Sequence, residues 1–382
     1  MKNFINTLVM IGCTSMIFIR CDINIKPAGK VLYELKSQNK TNITFSNLIV
    51  ETDELNILNY NNMYMGGGVS IGDINNDMLP DIFLTANQET NRLYLNKGDF
   101  KFEDITETSR IGGDVGINSW STGATMVDIN HDGLLDIYVC MIHGFKNLEG
   151  SNKLYINQGD NTFIESAAKY GLDIKTYAHQ ATFFDYDIDG DLDLFLVNQA
   201  MHTPNSYGPG QIRETRNKMT GDLLFKNEDG KFFDVSKESG IYGGPNGYGL
   251  GLNISDFNND GFPDIYVSND FHENDYLYYN NQKGGFIEKI KESMGHISNF
   301  SMGNDAADIN NDGWMDLISL DMRPHKEEIL KASVSFEDYD IYNFKLDYSY
   351  HVQYPRNMLQ LNKGTLFNKS LVKFSEECAF IE

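Results

Sequence analysis

The chain has 382 residues and a formal net charge of −23. Acidity of this degree repels phosphate backbones and excludes nucleic acid as a partner. A hydrophobic content of 41% and an aromatic content of 12% exclude a disordered acidic chain, and the abundance of Tyr (21) and Phe (24) favours strands.

The first predicted element is a leader. Lys2 supplies a positive end, and Phe4 to Ile19 is a charge-free, mostly apolar run. Such a run suits a signal peptide and is short for a membrane span. Cys21 follows, so residues 1–21 resemble a bacterial lipoprotein signal with Cys21 as the lipidated residue. Arg20 stands where such signals carry a small residue; Cys13, preceded by Gly12, is the alternative. The expectation is export, to the outer membrane or cell surface as a lipoprotein or into the medium. Membrane contact is expected only through the lipid. The remaining cysteines, Cys140 and Cys378, are too few for a disulfide framework, and no CxxC pair signals zinc or redox chemistry.

Residues 22–64 form an N-terminal segment in which Phe45–Val50 (FSNLIV) is a candidate outer strand. A unit then repeats five times between about residues 65 and 364. Its signature reads DINNDMLPD (Asp73–Asp81), DINHDGLLD (Asp128–Asp136), DYDIDGDLD (Asp185–Asp193), DFNNDGFPD (Asp256–Asp264) and DINNDGWMD (Asp308–Asp316). The starts lie 55, 57, 71 and 52 positions apart. A small-residue apolar segment precedes each signature, and a short apolar run follows it. A third segment such as RLYLNKG or KLYINQG and a fourth such as FKFEDIT complete the unit. Four strands at this period are expected of a blade in an all-β propeller.

The chemistry lies in the signatures. Numbered from the first Asp, positions 1, 3 and 5 are Asp73, Asn75 and Asp77; Asp128, Asn130 and Asp132; Asp185, Asp187 and Asp189; Asp256, Asn258 and Asp260; and Asp308, Asn310 and Asp312. Position 9 is Asp81, Asp136, Asp193, Asp264 or Asp316. Alternate oxygens in a curled loop suit Ca²⁺, which takes six to eight oxygen ligands. Position 6 is Gly in four copies, and position 7 (Leu79, Leu134, Asp191, Phe262, Trp314) offers a backbone carbonyl. Up to five Ca²⁺ are therefore expected. The first loop has Met78 in place of Gly, so its turn is expected to be strained or reshaped and its site the weakest. The third carries Asp at positions 1, 3, 5 and 9 and is expected to be the tightest. An EF-hand is excluded, because Glu at position 12 is absent and the flanks are strand-like.

These loops resemble the FG-GAP repeats of integrin α-chain propellers and of VCBS-repeat proteins. The wider pattern GGGVSIGDINNDMLPDIFLTANQETNRLYLNKGDFKFEDIT is similar to bacterial exported relatives of the cartilage acidic protein family. The resemblance implies a seven- or eight-bladed propeller of which five repeats are recognisable, with residues 365–382 as a truncated tail. An open arc of blades is then expected unless the N-terminal segment lends a ring-closing strand.

Two insertions break the rhythm, His202–Met219 and Arg323–Arg356, and insertions of this kind map to loops on a binding face. No nucleophile elbow, phosphate loop or HExxH is present. The expected function is a surface binding or adhesion module for protein or glycan, not an enzyme. The alternative is a calcium-dependent polysaccharide lyase drawing on His272, Arg213 or Lys218. Trp120, Tyr177 and Tyr248 precede predicted innermost strands, where either packing or stacking on a sugar is open to them.

Overall fold

The computed structural model describes residues 33–201, 208–324, 326–333, 339–365 and 372–376. The leader with Cys13 and Cys21, His202, and most of the tail from residue 366 lie outside the described residues. No helix among the described residues is long and apolar enough to cross a membrane.

The fold is all-β. Five four-stranded antiparallel sheets follow one another, each a meander in which the strands pair in chain order. Sheet 1 comprises Val69–Gly72, Asp81–Leu84, Arg92–Asn96 and Phe102–Asp104. Sheet 2 comprises Ser121–Val127, Asp136–Met141, Lys153–Asn157 and Phe163–Glu165. Sheet 3 comprises Ala178–Phe184, Asp193–Asn198, Leu223–Glu228 and Lys231–Asp234. Sheet 4 comprises Gly249–Ser255, Asp264–Asn269, Tyr276–Asn280 and Phe286–Glu288. Sheet 5 comprises Ser301–Ala307, Asp316–Asp321, Met358–Asn362 and Phe374–Glu376. Every signature loop is the turn between a first and a second strand. Position 9 begins the second strand in all five.

The second strands of sheets 2, 3 and 4 are buried along their whole length. They are covered on both faces, which is why their sequences are continuous apolar runs rather than alternating ones. An apolar core fills each gap between consecutive sheets. Phe83, Leu93 and Val139 meet between sheets 1 and 2, and Tyr138, Leu154 and Leu196 between sheets 2 and 3. Phe195, Ile265 and Tyr278 fill the next gap; Phe257, Tyr266 and Leu317 fill the last.

The first strands lie side by side from sheet to sheet and approach closely. The Thr122 hydroxyl donates to the Ala178 carbonyl at 2.8 Å, and the Thr125 hydroxyl to Ala181 at 2.6 Å. This approach explains the small residues before each loop. A Cβ on Gly123 would sit 2.6 Å from the His179 carbonyl oxygen, and one on Gly251 would sit 2.9 Å from the Gly303 Cα. The outermost members of the series are barer: Val69 and Ile71 on the first strand of sheet 1 are 58% and 62% exposed.

The N-terminal segment contains no strand among its described residues. Phe45–Val50, a candidate strand by sequence, lies as irregular chain along the turn after the second strand of sheet 1. Asn47 exchanges hydrogen bonds with Asn87, and the Val50 amide donates to the Gln88 side chain at 2.6 Å. Leu55, Tyr60 and Met63 then pack over Trp120, Ile142 and Leu148. Trp120 is thereby 1% exposed and Tyr248 also 1%, with Asn62 donating to the Tyr248 hydroxyl at 3.3 Å. Of the two roles open to these aromatic residues, both take the packing one.

The two insertions meet. The Gly210 amide donates to the Tyr348 carbonyl at 2.7 Å, and the Tyr350 hydroxyl donates to the Gly208 carbonyl at 2.7 Å. Arg213, a candidate for lyase chemistry by sequence, is buried in an ion pair with Glu273 at 2.8 Å.

Candidate metal loops

Each signature loop is wound around its first Asp. In the second loop Asp128 Oδ1 accepts the Asp132 amide at 3.0 Å and Oδ2 accepts the Gly133 amide at 2.9 Å, while Asp132 Oδ1 accepts the Leu134 amide at 2.9 Å. The same three bonds recur in the first, third, fourth and fifth loops. Such side-chain-to-backbone bonding is what Asp does well in a turn. It holds positions 1 and 5 on the inside of the curl.

Position 9 does more than face the loop. Asp264 is fully buried; its Oδ2 accepts the Phe257 amide at 3.0 Å and its Oδ1 the Asn280 amide at 2.8 Å. Asp81, Asp136, Asp193 and Asp316 are bonded alike. Each oxygen keeps one lone pair for a cation. Burial, aided by the other loop carboxylates, pushes Asp136 up to about 6, Asp193 to about 7 and Asp264 to about 8. A nearby divalent charge would offset that cost.

The asparagine at or near the end of each third strand reads in the sequence only as a turn residue, yet in sheets 2, 4 and 5 it joins the sheets, while Asn96 and Asn227 bond the Pro80 and Leu192 carbonyls of their own loops. Besides its amide bond to position 9, Asn157 donates from Nδ2 to the Ile74 carbonyl of the preceding loop at 2.8 Å. Asn280 reaches the Tyr186 carbonyl in the same way at 2.7 Å, and Asn362 reaches Phe257 at 2.9 Å. Loops are also tied directly: Asn76 donates to the Gly133 carbonyl at 3.0 Å and Asn259 to Gly313 at 2.9 Å. Position 2 is the apolar plug of this joint. Ile74, Ile129, Tyr186 and Phe257 are buried against the next sheet, whereas Ile309, in the fifth loop, is 51% exposed.

Two positions in every loop are left-handed. Position 6 was expected from its glycines. Met78 adopts φ 69° there and keeps the full bonding pattern, so the first loop is strained but not reshaped. Position 4 was not expected. Asn76, His131, Ile188, Asn259 and Asn311 have φ between 54° and 61°. A β-branched residue is poorly suited to this region, which costs an L-residue roughly 1–2 kcal/mol. Ile188→Asn is expected to stabilise the chain by about 1 kcal/mol in urea unfolding, since Asn occupies three sister positions.

Among the described residues, three carboxylates of the third loop stand close enough together to share one cation. Oxygens of Asp185, Asp187 and Asp193 lie within 4.8 Å of one another. Asp187 Oδ1 is buried with no hydrogen-bond partner. Converging carboxylate oxygens, one of them unsatisfied, fit a hard divalent ion. In the other loops position 3 is Asn, and in the first two its Nδ2 donates to the position-5 carboxylate, Asn75 to Asp77 at 3.1 Å and Asn130 to Asp132 at 2.9 Å.

The sequence profile of the FG-GAP-like repeat matches residues 73–139 and 256–319. Each stretch contains two signature loops and the sheet boundary between them. The chain carries FG-GAP-like repeats. The third loop falls between the two matched stretches of the chain. Over 210 residues, 54% of the chain, it is 27% identical to cartilage acidic protein 1 of Xenopus tropicalis, and over 208 residues 26% identical to the human protein. These matches span 29% and 28% of those relatives, so this FG-GAP-repeat chain corresponds to under a third of their length. Among solved structures, an Agrocybe aegerita lectin structure concerned with non-reducing terminal N-acetylglucosamine aligns at 14% identity. That alignment covers 84% of this chain and 68% of the lectin, with a TM-score of 0.42. The Vibrio cholerae biofilm matrix protein Bap1 aligns at 13% identity over 66% of this chain and 34% of its own, with a TM-score of 0.33. Likenesses this slight carry no argument about what the chain binds.

Proposed function

We propose that the five sheets are blades of a β-propeller whose five loops bind Ca²⁺, and that the chain is an exported, non-enzymatic binding module at the cell surface. The observation that carries the calcium reading is the third loop, with its converging oxygens and the unsatisfied Asp187 Oδ1. Asp185, Asp187, Asp189 and Asp193 would hold the ion there with the Asp191 carbonyl, and the corresponding residues would do so in the sister loops. The ion supplies fixed positive charge; the chain's own oxygens fold the loop around it.

A ligand surface is offered beside the fourth and fifth loops. A groove of about 1020 Å³ runs there, lined among others by Trp314, Tyr279, Gln282, Lys283 and Lys289. The Trp314 ring, an amide and two ammonium groups suit a glycan or an acidic peptide segment. Asp260 belongs both to this groove and to the fourth loop, so ligand capture is expected to depend on calcium. A glycan array probed with the purified chain in calcium and in EDTA tests this. Capture in calcium that is lost in EDTA and in Trp314→Ala is expected; capture indifferent to both contradicts the reading.

A further inference from the structure

We propose that Lys226 is a built-in counter-cation of the third loop, holding its carboxylates together without calcium and lowering the loop's affinity for calcium. The inference rests on the proposal that the loops bind calcium.

Two departures from the repeat meet in one sheet. Position 3 is Asn in four loops and Asp187 in the third. The residue before the third-strand asparagine is Leu95, Ile156, Tyr279 or Leu361 in four sheets and Lys226 in the third. Lys226 Nζ pairs with Asp187 and lies 3.3 Å from Asp189 Oδ2, so it spans positions 3 and 5. In the first two loops the Asn amide makes that link by donating from position 3 to position 5. Asp187 has no proton to donate, and the lysine supplies it from the neighbouring strand. The need is plain from the charge: five Asp lie between residues 185 and 193, against three in each sister loop. The lysine side chain is only 26% exposed and that of Asp187 16%, so water screens the pair weakly.

A calcium ion and an ammonium group sharing the same carboxylates repel each other. The expectation from ligand charge alone, that the third loop is the tightest, is therefore reversed in part by a residue 39 positions downstream of Asp187.

Lys226→Leu places in this sheet the residue that two sister sheets already carry. In EDTA the variant is expected to melt below the wild type. In a calcium titration one site is expected to gain about tenfold in affinity while the others keep theirs. Lys226→Arg should behave as the wild type in both, and Asp187→Asn with Lys226→Leu should recover the EDTA melt. An EDTA melt of Lys226→Leu equal to the wild type, or a superimposable calcium titration, overturns the proposal. A wild type that binds no calcium defeats the calcium reading instead; the EDTA melts still decide whether Lys226 holds the loop.

Discussion

Excess EDTA is expected to lower the melting temperature of the purified chain strongly, and added calcium to restore it. Positions 1, 3, 5 and 9 hold sixteen carboxylates. Those of Asp185, Asp187 and Asp193 lie within 4.8 Å of one another, and the five at position 9 are buried. Ligand binding to the native state alone stabilises it by roughly 2.7 kcal/mol per site at a hundredfold excess over Kd. Several sites acting together are comparable in size to the typical margin of folding, about 5–15 kcal/mol. Asn76 and Asn157 tie the first and second loops, Asn280 the third and fourth, and Asn259 and Asn362 the fourth and fifth, so loss of a bound ion from one loop is expected to loosen the loop tied to it. Scanning calorimetry at fixed pH checks this, and an identical melt in calcium and EDTA would count against it.

The second large effect is expected at Asp264. Alanine there removes the acceptor of two buried amides, Phe257 and Asn280, in a sheet with apolar cores on both sides. Each orphaned amide costs about 1–3 kcal/mol, so a loss of about 3–5 kcal/mol is expected. Measuring the variant and the wild type by urea unfolding in EDTA separates this loss from any loss of metal. Asp77→Ala is the control. Asp77 is exposed and bonds only within its own turn, so in EDTA it should cost about 1 kcal/mol. Equal costs for the two would show that position 9 is a ligand and nothing more.

The repeated sheets and the loop curl were legible because they rest on local rules. Five Asp/Asn signatures at near-constant spacing, a Gly at position 6 and continuous apolar second strands each have a short-range cause. What escaped depends on partners far away in sequence. The third-strand asparagines looked like turn residues because the Ile74, Tyr186 and Phe257 carbonyls they reach belong to another sheet. Position 4 is left-handed without a uniform residue type, since Asn, His and Ile share it. Phe45–Val50 has the composition of a strand, yet the side chains of Asn87 and Gln88 claim its backbone and side-chain groups. The insertions were visible as breaks in spacing; that the turn at Gly210 docks on Tyr348 was not. Lys226 was invisible as a partner of Asp187 until the third strand lay beside the loop.

Native mass spectrometry of the chain after chelation and reloading tests most directly whether the loops are calcium sites. Five bound calcium ions on the reloaded protein, reduced to none in chelator, is the predicted result. A reloaded chain whose mass equals that of the bare polypeptide would contradict it.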